Sequence, residues 1–136
     1  MDKLTNLLIV DDDERICRTL GRYLKSEGFQ VRCATDGAIM WQLLESTQPD
    51  LIILDPILPG VDGITLTREL RIDYPKIGIV ILTAKNDVMD TIIGIDVGAD
   101  DYVTKPFDNM VLLARIRSVL RRLFNSEINA EKHIYP

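Results

Sequence analysis

Leu51-Ile52-Ile53-Leu54-Asp55-Pro56-Ile57-Leu58-Pro59-Gly60-Val61-Asp62-Gly63 runs from four apolar side chains straight into a carboxylate and then into a segment rich in turn formers. Four consecutive apolar residues bounded by turn signals fit a strand covered on both faces, as in a parallel sheet. Asp55 then stands where such a strand meets a loop, and a carboxylate there needs a cation, donors or solvent to offset its desolvation. Three other apolar runs end in a similar way. Leu7-Leu8-Ile9-Val10 leads into Asp11-Asp12-Asp13, Ile79-Val80-Ile81-Leu82 into Thr83-Ala84, and Tyr102-Val103-Thr104 into Lys105-Pro106.

Between these runs the apolar spacing becomes helical. A helix over 14–26 places Ile16, Leu20, Tyr23 and Leu24 on one face, with Asp13 as its N-cap and Gly28 past its end. Gln30 to Ala34 reads as a second strand. Asp36-Gly37 then turns into a helix with Ile39, Met40, Leu43 and Leu44 inward, stopped by Pro49. Ile64, Leu66, Thr67 and Leu70 indicate a short helix ending before Tyr74-Pro75, and Gly78 to Leu82 a fourth strand. A helix over 87–97 is the weakest by propensity, because it contains Gly94 and closely spaced β-branched residues. The last helix, over 109–124, sets Met110, Leu113, Ile116, Leu120 and Leu123 on one stripe with Arg115, Arg117, Arg121 and Arg122 around it. From Asn125 the composition turns polar, so the expected organisation is one domain over 1–124 and a linker or tail over 125–136. Five alternating strand and helix units predict an α/β domain built on a five-stranded parallel sheet.

The bulk composition agrees with one domain: 136 residues, 46% hydrophobic. A net charge of -5 excludes a whole-surface basic footprint for nucleic acid. Cys17 and Cys33 have no metal-ligand spacing, and the expectation is a pair of buried free thiols in a reducing compartment. Met1-Asp2-Lys3-Leu4-Thr5-Asn6 lacks a signal pattern, and no apolar run approaches the ~18 residues of a membrane span. A cytoplasmic protein with no membrane partner is expected.

In an open parallel α/β sheet, ligands bind beyond the carboxyl ends of the strands, near the point where strand order reverses. Asp11, Asp12 and Asp55 would meet there, with Thr83 and Lys105 closing the other side. Three carboxylates in one cleft repel unless a cation intervenes, and an oxygen-only set with few protein ligands suits Mg²⁺. Asp55, alone at its strand end, is the candidate nucleophile toward phosphorus, while Asp11 and Asp12 are the candidate metal ligands. A single Asp after a strand is more often a turn or cap, and Asp36, Asp62 and Asp87 are read that way. His133 is read as a solvated tail residue. The joint placement of five groups on one sheet edge is what points to chemistry.

On these residues the chain resembles the receiver domain of two-component response regulators, over about Leu7 to Leu123. The matching motifs are Val10-Asp11-Asp12-Asp13, Leu54-Asp55 with Leu58-Pro59-Gly60-Val61-Asp62-Gly63, Leu82-Thr83-Ala84, and Gly98-Ala99-Asp100-Asp101-Tyr102-Val103-Thr104-Lys105-Pro106-Phe107. The resemblance implies a doubly wound, flavodoxin-like (βα)5 fold with strand order 2-1-3-4-5. It implies that Asp55 accepts a phosphoryl group from a sensor histidine kinase, and that Asp12, Asp55 and the Ile57 backbone carbonyl hold Mg²⁺ with Asp11 assisting. Lys105 and Thr83 would contact the phosphoryl group, and the Lys105-Pro106 bond would be cis. Thr83 and Tyr102 would form the switch. Such a domain is a phosphoacceptor and no enzyme beyond its own phosphorylation and dephosphorylation.

The stretches Gly94 to Asp101 and Arg115 to Arg122 look most like the winged-helix transcription-factor (OmpR/PhoB-like) subfamily. That implies a homodimer through the fourth helix, fifth strand and fifth helix, with Asp101–Arg115 and Asp96–Arg117 as cross-subunit pairs. DNA contact would fall to a C-terminal domain beyond this chain. Two features depart from the pattern. Thr91 and Val111 stand where the subfamily often has another opposite-charge pair, and Pro56 replaces an unrestricted apolar residue. Proline removes one amide and biases Asp55 toward an extended backbone, so the alternative is a degenerate receiver acting as a phosphorylation-independent interaction module. A Mg²⁺-dependent phosphohydrolase commonly needs a second carboxylate where this chain has Pro56-Ile57. A flavin binder needs a Ser/Thr/Gly-rich loop where it has three aspartates.

Overall fold

The computed structural model describes residues 4–84 and 98–132, with side chains as far as Ser126. Five parallel strands, β1 (Asn6–Val10), β2 (Gln30–Ala34), β3 (Leu51–Leu54), β4 (Gly78–Ala84) and β5 (Asp101–Lys105), lie in the order β2-β1-β3-β4-β5. The expected order is therefore the observed one. From β1 the chain moves outward to β2 and then returns to the other side at β3, so the reversal falls between β1 and β3. Val10 is in register with both Ala34 and Leu54, which brings the ends of the three strands level.

The strands are apolar throughout because both faces are covered. Leu7, Ile9, Leu51, Ile53, Val80 and Leu82 pack on Leu20 and Leu24 of α1 (Glu14–Ser26) and on Leu112, Ile116 and Val119 of the C-terminal helix (Asn109–Lys132). The alternate residues Leu8, Val10, Ile52, Leu54, Ile79 and Ile81 pack on Met40 and Leu44 of α2 (Gly37–Ser46) and on Leu66 and Leu70 of α3 (Gly63–Asp73). Truncating any one of the leucines, isoleucines or Met40 among these to alanine would cost roughly 2–5 kcal/mol. Each of the first three helices starts on an aspartate. Asp13 accepts from the Arg15 amide, Asp36 from the Ile39 amide, and Asp62 from the Ile64 amide and the Thr65 hydroxyl. The Arg15 amide holds the Asp13 carboxyl below its ordinary value, and the Thr65 hydroxyl does the same for Asp62.

Three features differ from the sequence reading. The C-terminal helix continues through the polar stretch to Lys132 instead of stopping near Phe124. Residues 125–132 hold no proline or glycine, and a polar composition alone does not end a helix. A short antiparallel hairpin, Ile57–Leu58 with Val61–Asp62, lies between β3 and α3. Cys17 and Cys33, expected as separate free thiols, are brought side by side with Cα atoms 5.9 Å apart, a separation that a disulfide can span. Their sequence separation hides the pairing, which arises because α1 packs over β2. The helix expected over 87–97 lies outside the described residues.

The link between α3 and β5 is polar. Arg71 donates to the carbonyls of Gly98, Pro75 and Ile77 and to Asp100 Oδ2, which also accepts from the Ile79 amide at 2.8 Å. The Asp100 amide donates to the Ile79 carbonyl at 2.8 Å, so the chain leading into β5 is bound to the beginning of β4. Among the described residues, no helix is long and apolar enough to cross a membrane.

Gly63 sets the path from β3 into α3. A Cβ added there would collide with the Pro56 backbone, its carbonyl oxygen nearest, and with Pro56 Cβ. Gly63→Ala is expected to destabilise the domain by about 1–3 kcal/mol, read as a lower urea midpoint with an unchanged slope. Pro56→Ala should not rescue it, because the nearest obstructing atom is backbone. An unchanged midpoint in Gly63→Ala would contradict this packing.

Candidate functional site

The level strand ends place four elements around one cleft. β1 delivers Asp11, β3 delivers Asp55, β4 carries Thr83 and β5 ends at Lys105. The ladder continues one residue past two of these strands: the Asp11 amide donates to the Ala34 carbonyl at 3.1 Å, and the Asp55 amide to the Val10 carbonyl at 2.9 Å. These bonds fix the Cα positions from which both carboxylates project.

Asp11 is fully buried, and its two oxygens are separately satisfied. Oδ1 accepts from the Asp13 amide at 2.9 Å and Oδ2 from Lys105 Nζ at 2.9 Å. Asp55, also buried, repeats the arrangement with the Ile57 amide on Oδ1 and Lys105 Nζ on Oδ2, both at 2.8 Å. The amide missing at Pro56 is therefore not the one Asp55 uses. Ile57 supplies it, and its backbone carbonyl belongs to the same turn, while its side chain is exposed. Lys105 precedes a cis proline bond. Burial pulls its ammonium toward neutrality, but hydrogen bonds to Asp55 and Asp11 outweigh this and set its pKa above the ordinary lysine value of 10.5.

Asp12 is exposed at the rim. Asp11, Asp12 and Asp55 each offer one oxygen within 4.8 Å of the others. Three carboxylates against one lysine leave excess negative charge, and the donor set is oxygen only, so a hard divalent cation fits these residues. Thr83 is buried at the end of β4, and among the described residues its hydroxyl's contact is a long 3.5 Å one to the Ala84 carbonyl. Tyr102 on β5 is exposed.

The residues expected at a subunit interface are occupied within one chain. Arg115 Nη1 lies 3.3 Å from both carboxylate oxygens of Asp101, and Arg117 Nη2 lies 3.4 Å from Glu27. These are exposed pairs of small energetic weight. Asp96 lies outside the described residues. The sequence reading missed Arg71 and Asp100, which hold β5 in place behind Lys105. An arginine late in a helix reads as an ordinary dipole partner, and only its fold-level contacts mark it.

A sequence profile described as "Response regulator receiver domain" matches residues 7–117. Two curated relatives, the transcriptional regulatory proteins CseB of Streptomyces avermitilis and Streptomyces coelicolor, are 42% identical over 122 residues and 43% identical over 118. The matches cover 90% and 87% of this chain but 52% and 50% of theirs, so the chain spans about half the length of these relatives. Among solved structures, a two-component response regulator from Clostridium difficile superposes with a TM-score of 0.83 at 31% identity, covering 88% of this chain and 98% of that one. A CheY-like response regulator receiver domain protein from Methanospirillum hungatei gives 0.86 at 26% identity, covering 91% and 99%.

Lys105 has its pKa raised by folding, so its contribution to stability is complete below the unfolded-state value of about 10.5 and is lost as pH rises through the folded-state value. The difference in Tm between the parent and Lys105→Met, measured without divalent cations, should hold steady from neutral pH to about 10 and shrink above it. A difference that widens with alkalinity would contradict the Lys105 bridge.

Proposed function

Because the chain belongs to the response regulator receiver family, we propose that Asp55 is its phosphoacceptor and that the phosphohistidine of a sensor kinase is the donor. The observation that carries this reading is the pairing of Asp55 with Lys105 and the Ile57 amide beside Asp11 and Asp12. An Asp55 oxygen attacks phosphorus, the bond from phosphorus to the imidazole nitrogen breaks, and the electron pair leaves with the imidazole. The product is an acyl phosphate on Asp55. Asp11, Asp12, Asp55 and the Ile57 carbonyl would hold Mg²⁺, which when bound neutralises phosphoryl oxygens. Lys105 transfers one of its hydrogen bonds from the carboxylate to a phosphoryl oxygen, where its charge still has an anion to balance.

Thr83 supplies the response. Its hydroxyl, in long contact with the Ala84 carbonyl, donates to the phosphoryl group, and Tyr102, exposed in the described state, turns inward as Thr83 moves. Phosphorylation thereby shifts an equilibrium between two packings. The surface that reads the change includes β5 and the C-terminal helix, and in a homodimer through it Arg115 would exchange its in-chain Asp101 for the Asp101 of a second copy. The relatives are named as transcriptional regulators and are about twice as long. The corresponding output here is a winged-helix DNA-binding domain beyond residues 1–124, acting in the cytoplasm. The Ile57 amide bond supports a site that tolerates Pro56.

Incubation with acetyl phosphate and Mg²⁺ should add one phosphoryl group to the intact chain by mass spectrometry. Asp55→Asn should add none, and Lys105→Met should slow uptake roughly a hundredfold, the scale for removing one preorganised charge donor. Equal uptake by Asp55→Asn would sink the assignment. No uptake by a folded parent would favour the phosphorylation-independent module.

A further inference from the structure

The Cys17–Cys33 pair adjoins the acidic cleft, with Cys17 Sγ 3.5 Å from the Asp11 backbone carbonyl, but opens onto a surface of its own. Cys17 lies one turn into α1, and Cys33 lies on the edge strand β2, opposite Ile9 of β1. A groove of about 340 Å³ opens beside Cys17 and is lined by Arg18, Gly21, Arg22 and Lys25. Both cysteines are half-buried, and of the two it is Cys17 that lines this groove. The chain as a whole carries a net charge of -5, yet this groove presents three cations with no carboxylate in its lining. An anionic reagent is therefore drawn to this groove. α1 does not need the covalent tie to stay docked, because Leu20 and Leu24 are buried in the core independently of it.

We propose that Cys17 and Cys33 form a reversible thiol–disulfide exchange site whose reaction partner is a small anionic thiol or disulfide received in the Arg18–Arg22–Lys25 groove. In the oxidising direction the Cys17 sulfur attacks one sulfur of R–S–S–R. A mixed disulfide forms, and the first R–SH leaves with the proton Cys17 gave up. Cys33 then attacks the Cys17 sulfur, the mixed disulfide breaks, and a second R–SH leaves with the Cys33 proton. The protein loses two electrons and two protons, and the small disulfide gains them. Two R–SH molecules reverse the sequence. The Cα separation of 5.9 Å lies within the range a disulfide spans, so neither strand nor helix must move far for the bond to form or open.

The test uses reduced and oxidised glutathione, an anionic pair, on the unmodified chain. Protein equilibrated across a series of ratios is quenched with acid, alkylated and weighed. The cross-linked fraction should rise through one transition as the ratio becomes oxidising and fall again when the mixture is reversed. Cysteines that stay free at every ratio, or stay bonded under excess reduced glutathione, would overturn the proposal. In Cys33→Ser, oxidised glutathione should trap an adduct on Cys17 several-fold faster than it modifies Cys33 in Cys17→Ser; equal rates would remove Cys17 as the point of attack. Adding Arg18→Gln and Arg22→Gln to Cys33→Ser should slow the glutathione adduct about tenfold while leaving reaction with neutral hydroxyethyl disulfide unchanged. An equal slowing of both reagents would count against the groove as an anion site.

Discussion

The Lys105 ammonium, 2.9 Å from Asp11 and 2.8 Å from Asp55, is the contact on which the cleft depends. Asp11 is fully buried, and a buried carboxylate without a partner is among the costliest groups a domain can hold. One cation reaches two such groups only because β1 and β3 are neighbours and β5 lies on the same edge of the sheet. The strand order thus has an electrostatic consequence: it lets a single lysine neutralise parts of two strands that are distant in sequence. Arg71 and Asp100 serve this arrangement from behind by binding the start of β5 to β4 and α3.

Most of the fold was legible because its signals are local. Leu51 to Leu54 announces a doubly covered strand by its own composition, and Asp13, Asp36 and Asp62 announce helix starts through amides two or three residues away. The candidate cleft was legible for a related reason, since every group in it sits immediately after a recognisable strand. What escaped depends on contacts between remote segments. Arg71 meets Gly98 across 27 positions, and Cys17 meets Cys33 through the packing of α1 on β2. The helix beyond Phe124 was missed for a different reason: polar residues were read as a tail although nothing in 125–132 breaks a helix.

Pro56 illustrates how a local irregularity can be absorbed. Its missing amide matters only if the site uses the position directly after Asp55, and the carboxylate instead bonds one residue further on, at Ile57. The proline lies against Gly63, so the turn between them is held by packing as well as by the hairpin. The loop beside the carboxylate is thus fixed at both ends.

The C-terminal helix, 24 residues from Asn109 to Lys132, gives the domain a mechanical property. Leu112, Ile116 and Val119 seat its first half in the core, while residues 125–132 extend it by roughly 12 Å of continuous rod. A flexible chain would dissipate a small rotation at Ile116 within a few residues. A helix transmits it, so a tilt of a few degrees at the core becomes a lateral displacement at Lys132 in proportion to its distance from the pivot. The segment that reads as a tether in sequence is, in the folded chain, a lever arm.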